Sequence, residues 1–240
     1  MLSENTLKEL TAKYQTTEIN VAREYFQHSF LANLYRLKEA EKIAFKGGTA
    51  LRIIYGSPRF SEDLDFTADI KIFHLKEILD KTIKATNAEG LNIKTLESKE
   101  TSGGYIAIYE TVIHTISVRV ELNISLRQKG ERIGTESHLI VSPMHPAYSI
   151  VSLNEKYLAK EKVEALISRN KSRDVFDLYF IIKNRIAIDA VIRKQKQLSG
   201  VFSGVSEKTL TKELKYYLPK SYWKILRNLS EKLLSDIKRL

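Results

Sequence analysis

Two glycines, a threonine and two alternating aspartates lie close together in "GGTALRIIYGSPRFSEDLDF". Gly47, Gly48 and Thr49 open this stretch, and Asp63 and Asp65 close it, with 13 residues between Thr49 and Asp63. Adjacent glycines between a strand and a short helix let the backbone take φ > 0 and approach a bulky ligand. The helix start that follows offers unpaired N–H groups suited to phosphate. Thr49 can cap that helix or donate its hydroxyl to a phosphate oxygen. A lone Gly-Gly between strand and helix is more often just a tight turn. Asp63 and Asp65 are two apart, so on a strand both carboxylates point to one face, while Leu64 and Phe66 face a core. Side by side they repel unless a cation lies between them. Mg²⁺ takes such oxygen ligands together with substrate phosphates. A charged strand edge that resists aggregation is the other reading.

A second constellation lies about a hundred residues on. Leu158, Lys162, Ala165 and Arg169 fall at i, i+4, i+7 and i+11 of one helical stripe, so Lys162 faces a core or a cleft. A buried ammonium needs an anion, which Asp174, Asp177 or a ligand phosphate can supply. Ser172 suits the N-cap of the next helix, where Asp174 meets the favourable end of the dipole. Asp174 and Asp177 share a face of that helix, and an internal ion-pair network tying two helices is the alternative to a ligand site. Arg59 could contact phosphate or stay solvated, and Lys46 lies near the turn. Ser61 sits two residues before Asp63, on the same strand face if the strand starts that early. No nucleophilic triad competes, because the chain lacks cysteine and its five histidines show no motif spacing.

These residues need strands and helices to hold them. Residues 17–40 carry apolar side chains at helical spacing, a helix with one apolar face. "KIAF" reads as a short strand, "TALRIIY" as one or two helical turns, "DLDFT" as a half-buried strand and "LKEILDKTIKATNAEG" as a helix stopped by Gly90. "NIKTL", "YIAIYETV", "TISVRVELNIS" and "SHLIV" alternate with period two and read as strands. Beyond Pro146 the pattern is helical: 149–168, 173–184, 187–197, 207–217 and 221–239. The expected fold is α/β (α+β), with a mixed-sheet domain over 1–145 and a helical bundle domain over 146–240.

Charge divides the same way. The formal net charge is +10, yet residues 183–240 hold 14 Lys/Arg against 5 Asp/Glu, leaving 25 and 24 for residues 1–182. A basic block of this size attracts polyanions over about a Debye length, or forms solvated helix faces. Tyr216, Tyr217, Tyr222 and Trp223 stand among the lysines, placed to stack on RNA bases or to fill a small helical core. No apolar stretch suggests a signal peptide or membrane span, and the absence of cysteine fits a reducing cytoplasm.

The glycine turn followed by Asp-x-Asp resembles the signature of the DNA polymerase β-like nucleotidyltransferase superfamily. The longer string "FKGGTAL…RFSEDLDF", with "EKVEALISRNKSRDVFDLYFI", is similar to the AbiEii/AbiGii toxin family within it, over roughly residues 17–182. The resemblance implies a polymerase β-like nucleotidyltransferase domain followed by a helical domain, acting as the toxin of a type IV toxin–antitoxin or abortive-infection system. It implies an NTP on Gly47, Gly48 and Thr49, and Mg²⁺ or Mn²⁺ on Asp63 and Asp65. Glu121, in the alternating strand "SVRVELNIS", is the candidate third carboxylate, or an ordinary exposed strand residue. Lys162 would meet the NTP phosphates, Asp177 or Asp174 would complete the active site, and Arg59 and Ser61 would lie near the triphosphate. Ser61 is also a candidate for inactivating modification by a cognate antitoxin. The tRNA 3′ end is the leading acceptor. NMP transfer to a protein hydroxyl, or a non-catalytic NTP- or RNA-binding module, are the alternatives.

Overall fold

The computed structural model describes residues 2–127, 134–202 and 206–240. Their contacts form two compact units. One comprises residues through Tyr55 together with Phe60–Leu153, and the other Gly56–Arg59 with Asn154–Leu240.

Among the described residues of the first unit, seven strands form one mixed sheet: β1 (Ile43–Lys46), β2 (Leu64–Ala68), β3 (Lys94–Thr101), β4 (Gly104–Ile113), β5 (Ile116–Leu126), β6 (Thr135–Ser142) and β7 (His145–Leu153). Their order is β3-β4-β5-β2-β1-β7-β6. The central pair β1/β2 is antiparallel, and each member has a parallel partner outside it, β7 beside β1 and β5 beside β2. Alternation explains the strands: Leu64 and Phe66 are fully buried, with half-buried Asp65 between them.

Helices α1 (Glu4–Lys13), α2 (Glu18–Tyr35), α3 (Gly47–Ile53) and α4 (Ile72–Ala88) complete this unit. α1 was not expected from the sequence; the Ser3 hydroxyl caps it by accepting from the Thr6 N–H, and Leu7 and Leu10 bury its inner face. α2 packs on β5, β7, α1 and α4, and it is buried from Asn20 to Leu34 rather than along one apolar face. Phe26 and Phe30 anchor it, each burial contributing about 1.5–3 kcal/mol. Its polar residues are buried too, and Glu24, Gln27, His28 and Asn33 find partners within the unit.

The second unit is helical: α5 (Glu155–Arg169), α6 (Ser172–Lys183), α7 (Asp189–Ile192), α8 (Gln195–Phe202), α9 (Glu207–Tyr217) and α10 (Leu229–Lys238), with a 3₁₀ stretch at Lys220–Leu226. The helix expected from residue 149 starts at Glu155, where the Asn154 side chain caps it. Residues 145–153 are instead β7, so the compact division falls after Leu153 rather than near 145. The expected helices 187–197 and 221–239 are each broken, the latter after Leu226 by Asn228 at φ +57. Leu158, Leu166, Phe176, Ile181, Leu198, Leu210, Leu214 and Leu233 lie in its buried core. Among the described residues no helix is long and apolar enough to cross a membrane.

Candidate active site

β1 runs into Gly47, which adopts φ +83, a conformation that L side chains rarely take. A Cβ at this position would lie 2.2 Å from Asp65 Oδ2, so the Asp65 carboxylate rests directly against the turn. The antiparallel register places Asp65 opposite Lys46. Turn and carboxylate therefore share one spot, and only glycine permits it.

Asp63 is fixed from several directions. β2 begins at Leu64, so Asp63 lies one residue before the strand, and Ser61 lies in the loop rather than on the strand face. The Thr49 hydroxyl donates to the Asp63 carbonyl. Thr49 is fully buried, so its hydroxyl proton is committed to this contact rather than to a helix cap or a ligand. Gln27 Nε2 of α2 donates to the carbonyls of Ser61 at 3.0 Å and Glu62 at 3.4 Å. Arg23 pairs with the Glu62 carboxylate at 3.2 Å. The Arg52 guanidinium, bonded to buried Glu24, lies 3.4 Å over the Phe60 ring. The buried polar residues of α2, which the sequence pattern did not assign to the site, thus hold the segment leading into Asp63.

Glu121 lies on β5 opposite Ile108 of β4. The parallel register of β2 and β5 pairs Leu64 with Leu122 and Asp65 with Asn123. Asn123, missed in the sequence, is therefore the residue beside Asp65; its signal was the two-residue spacing from Glu121. Among the described residues no group of three or more His, Asp or Glu is arranged to hold a metal, so Glu121 is not gathered with Asp63 and Asp65.

The second unit has its own charge cluster. Asp177 is 1% exposed and accepts from Arg59 Nε at 2.7 Å, Arg59 Nη2 at 2.9 Å and Lys162 Nζ at 2.7 Å. Arg59 is not solvated but buried, and its guanidinium grips both carboxylate oxygens. Burial pushes the Asp177 carboxyl up, but Arg59 and Lys162 outweigh it and hold the pKa down to about 2. Burial pulls the Arg59 guanidinium down, and Asp177 more than restores it. Asp174, fully buried in the first turn of α6, is bound bidentately by Arg169 at 2.7 Å through each oxygen. Lys171, not Ser172, holds the cap position of α6, and its side chain makes no cap bond. The inward-facing Lys162 and the pairing across α5 and α6 match the sequence reading; the central place of Arg59 was not legible from its loop context.

The family described as "Nucleotidyl transferase AbiEii toxin, Type IV TA system" matches residues 29–236. None of the curated proteins matches this chain by sequence. Solved structures with the same fold include JHP933 from Helicobacter pylori, at 21% identity and TM-score 0.57, covering 93% of this chain and 95% of that one. They also include a putative nucleotidyltransferase from H. pylori, at 20% identity and TM-score 0.55, covering 93% and 98%. MenT4, a nucleotidyltransferase toxin from Mycobacterium tuberculosis H37Rv, aligns over 100% of this chain and 91% of its own, at 14% identity and TM-score 0.68.

Proposed function

From its place in the AbiEii nucleotidyltransferase toxin family of type IV toxin–antitoxin systems, to which this chain belongs, we propose that it transfers NMP from an NTP to a tRNA 3′ end. The observation that carries the reading is the packing of the Asp65 carboxylate against the Gly47 turn. A glycine turn with its backbone laid against a carboxylate pair is what a metal-bridged triphosphate needs.

Asp63 and Asp65 supply hard oxygen donors, a set that fits Mg²⁺ or Mn²⁺ completed by water and substrate phosphates. Such a cation, when bound, neutralises phosphate charge and lowers the pKa of an attacking hydroxyl. The chain's own residues do the positioning. Gly47 and Gly48 bring backbone close to the triphosphate, and Thr49 and Gln27 hold the backbone at and before Asp63, so that its carboxylate is placed before substrate arrives. Chemistry of this kind rests on positioning and charge stabilisation and needs no covalent nucleophile. The family resemblance assigns Lys162 to the NTP phosphates. Asp177 would then hold Lys162 charged and extended, Arg59 would hold Asp177, and Asp174 would brace α6 through Arg169. Ser61 is a candidate triphosphate contact or modification site. Glu121 is the candidate third ligand, and Asn123, level with Asp65 in the β2/β5 register, is a candidate to orient the Asp65 carboxylate. A cognate antitoxin and the cytoplasm complete the biological setting.

Purified protein incubated with each α-labelled NTP, Mg²⁺ or Mn²⁺, and total RNA beside lysate protein tests this. Label at tRNA 3′ ends, lost in Asp63→Asn and Asp65→Asn proteins that melt like the parent, is the expected result. Label in a protein band, or an active Asp63→Asn protein, overturns it.

A further inference from the structure

Two concave regions meet on α9, both within the C-terminal unit. The first, about 690 Å³, is bounded by the start of α6 and by α9, and Lys171, Arg173, Lys208, Lys212, Tyr216 and Tyr217 line it. The second, about 610 Å³, carries Lys208, Lys212, Lys215 and Arg227. They share Lys208 and Lys212. Lys208, Lys212 and Lys215 fall at i, i+4 and i+7, so they form one row along the helix. A single cationic track therefore crosses α9, from Lys171 at one end to Arg227 at the other.

Two carboxylates also line the track. Glu207 accepts from the Ser230 N–H at 2.8 Å and is thereby committed to the start of α10; Glu213 is the other. Among the described residues no ion pair joins Lys171, Lys208, Lys212, Lys215 or Arg227 to a carboxylate. A scattered solvated surface would not combine such a row with a concave shape and an aromatic lining. Tyr216 is 43% exposed and meets Tyr217 edge-on at 4.9 Å. Lys215 lies 5.0 Å from the ring centre of Trp223, whose indole N–H is bonded to the Leu218 carbonyl. Trp223 is therefore occupied in packing, and Tyr216 is the ring exposed to a ligand.

We infer that this track binds a single-stranded polynucleotide, with successive phosphates along the lysine row and one base stacked on Tyr216. Phosphates spaced along a flexible chain fit a row of cations better than one compact anion does, and stacking on tyrosine accepts any base. The inference rests on the acceptor reading above only in naming the strand as RNA.

The test uses the full chain and a fluorescent, mixed-sequence single-stranded RNA oligonucleotide, with anisotropy read over a salt series. Each phosphate contact contributes roughly −0.7 to the slope of log affinity against log salt. Lys208→Gln, Lys212→Gln and Lys215→Gln together should flatten that slope by about 2 and weaken all sequences alike. Tyr216→Ala should weaken binding about tenfold, and Tyr216→Phe should keep it. Circular dichroism melts check that each variant folds. Equal slopes for the triple variant and its parent overturn the inference, as does lysine-dependent binding of polyglutamate without binding of RNA. NMP transfer to RNA is measured in parallel. Transfer with unchanged slopes leaves the acceptor reading standing and the track refuted. Lysine-dependent RNA binding without transfer supports the track and refutes the acceptor reading.

Discussion

The contact between Gly47 and Asp65 makes one residue answerable for two features, the shape of the turn and the place of the carboxylate. Gly47→Ala therefore meets two penalties, left-handed strain of about 1–2 kcal/mol and a clash that must displace Asp65. Gly56 is the matched control: it too has positive φ, +73, but a Cβ there would meet nothing within 4 Å. Gly56→Ala should cost stability by strain alone and keep nucleotidyl transfer, whereas Gly47→Ala should lose transfer. Equal activity in the two proteins would remove the turn from the site. The glycine pair and the Asp-x-Asp spacing were legible because both are local: a turn needs glycine where it bends, and a period of two sets a face. The role of Thr49 was not legible, since its partner is the carbonyl of Asp63, fourteen residues away and brought back only by the β1/β2 pairing.

At the scale of elements, burial decides what periodicity alone cannot. Residues 149–153, the end of β7, also suit a helix, since Ile150, Leu153 and Tyr157 fall three to four apart, and only pairing with β6 and β1 resolves the ambiguity. α2 was read as amphipathic, yet it is enclosed on all sides, and its polar residues serve as internal ties. His28 is one of them. Its Nδ1 lies 2.7 Å from the Tyr148 hydroxyl of β7, Glu24 is 4.0 Å from its Nε2, and burial, with the charges of His145 and Arg52, pulls its pKa from 6.5 to about 3. Between those values the unfolded chain binds a proton that the folded chain refuses. Stability therefore falls as pH drops from about 6.5 towards 3, by roughly 1.4 kcal/mol per unit. His28→Gln should flatten that limb in thermal melts while keeping a bond to Tyr148; an unchanged slope would assign it to other groups. Asp177 acts lower. Its folded pKa of about 2 lies below the ordinary 3.8, so its contribution is full above 3.8 and is lost as pH falls through 2. Asp177→Asn should remove this lower step and, because buried Arg59 and Lys162 lose the carboxylate they share, destabilise by about 3–5 kcal/mol at neutral pH. A melt within about 0.5 kcal/mol of the parent would refute the ion-pair account.

Across the whole molecule, the order of residues in sequence and the order of compact units disagree at one place. The broad division was legible, strands with helices first and basic helices afterwards, because composition and period change near the boundary. What the sequence could not display is that Gly56–Arg59, a loop between α3 and β2, belongs with Asn154–Leu240. Within that segment buried Arg59 donates to Asp177 through Nε and Nη2, beside the bond from Lys162. A fragment beginning at Asn154 therefore contains the carboxylate and Lys162 but lacks the guanidinium. In the whole chain, the double substitution Lys162→Met with Asp177→Leu deprives buried Arg59 of the carboxylate it grips through two hydrogen bonds and should lower the melting temperature. In the fragment the same pair of substitutions strands nothing, replaces an incompletely satisfied buried pair with apolar packing, and should raise it, as replacement of buried ion pairs by apolar residues often does. Thermal denaturation of the four proteins by circular dichroism reads the two signs directly. Shifts in the same direction would mean that Arg59 contributes nothing to the helical unit beyond what Lys162 already gives Asp177.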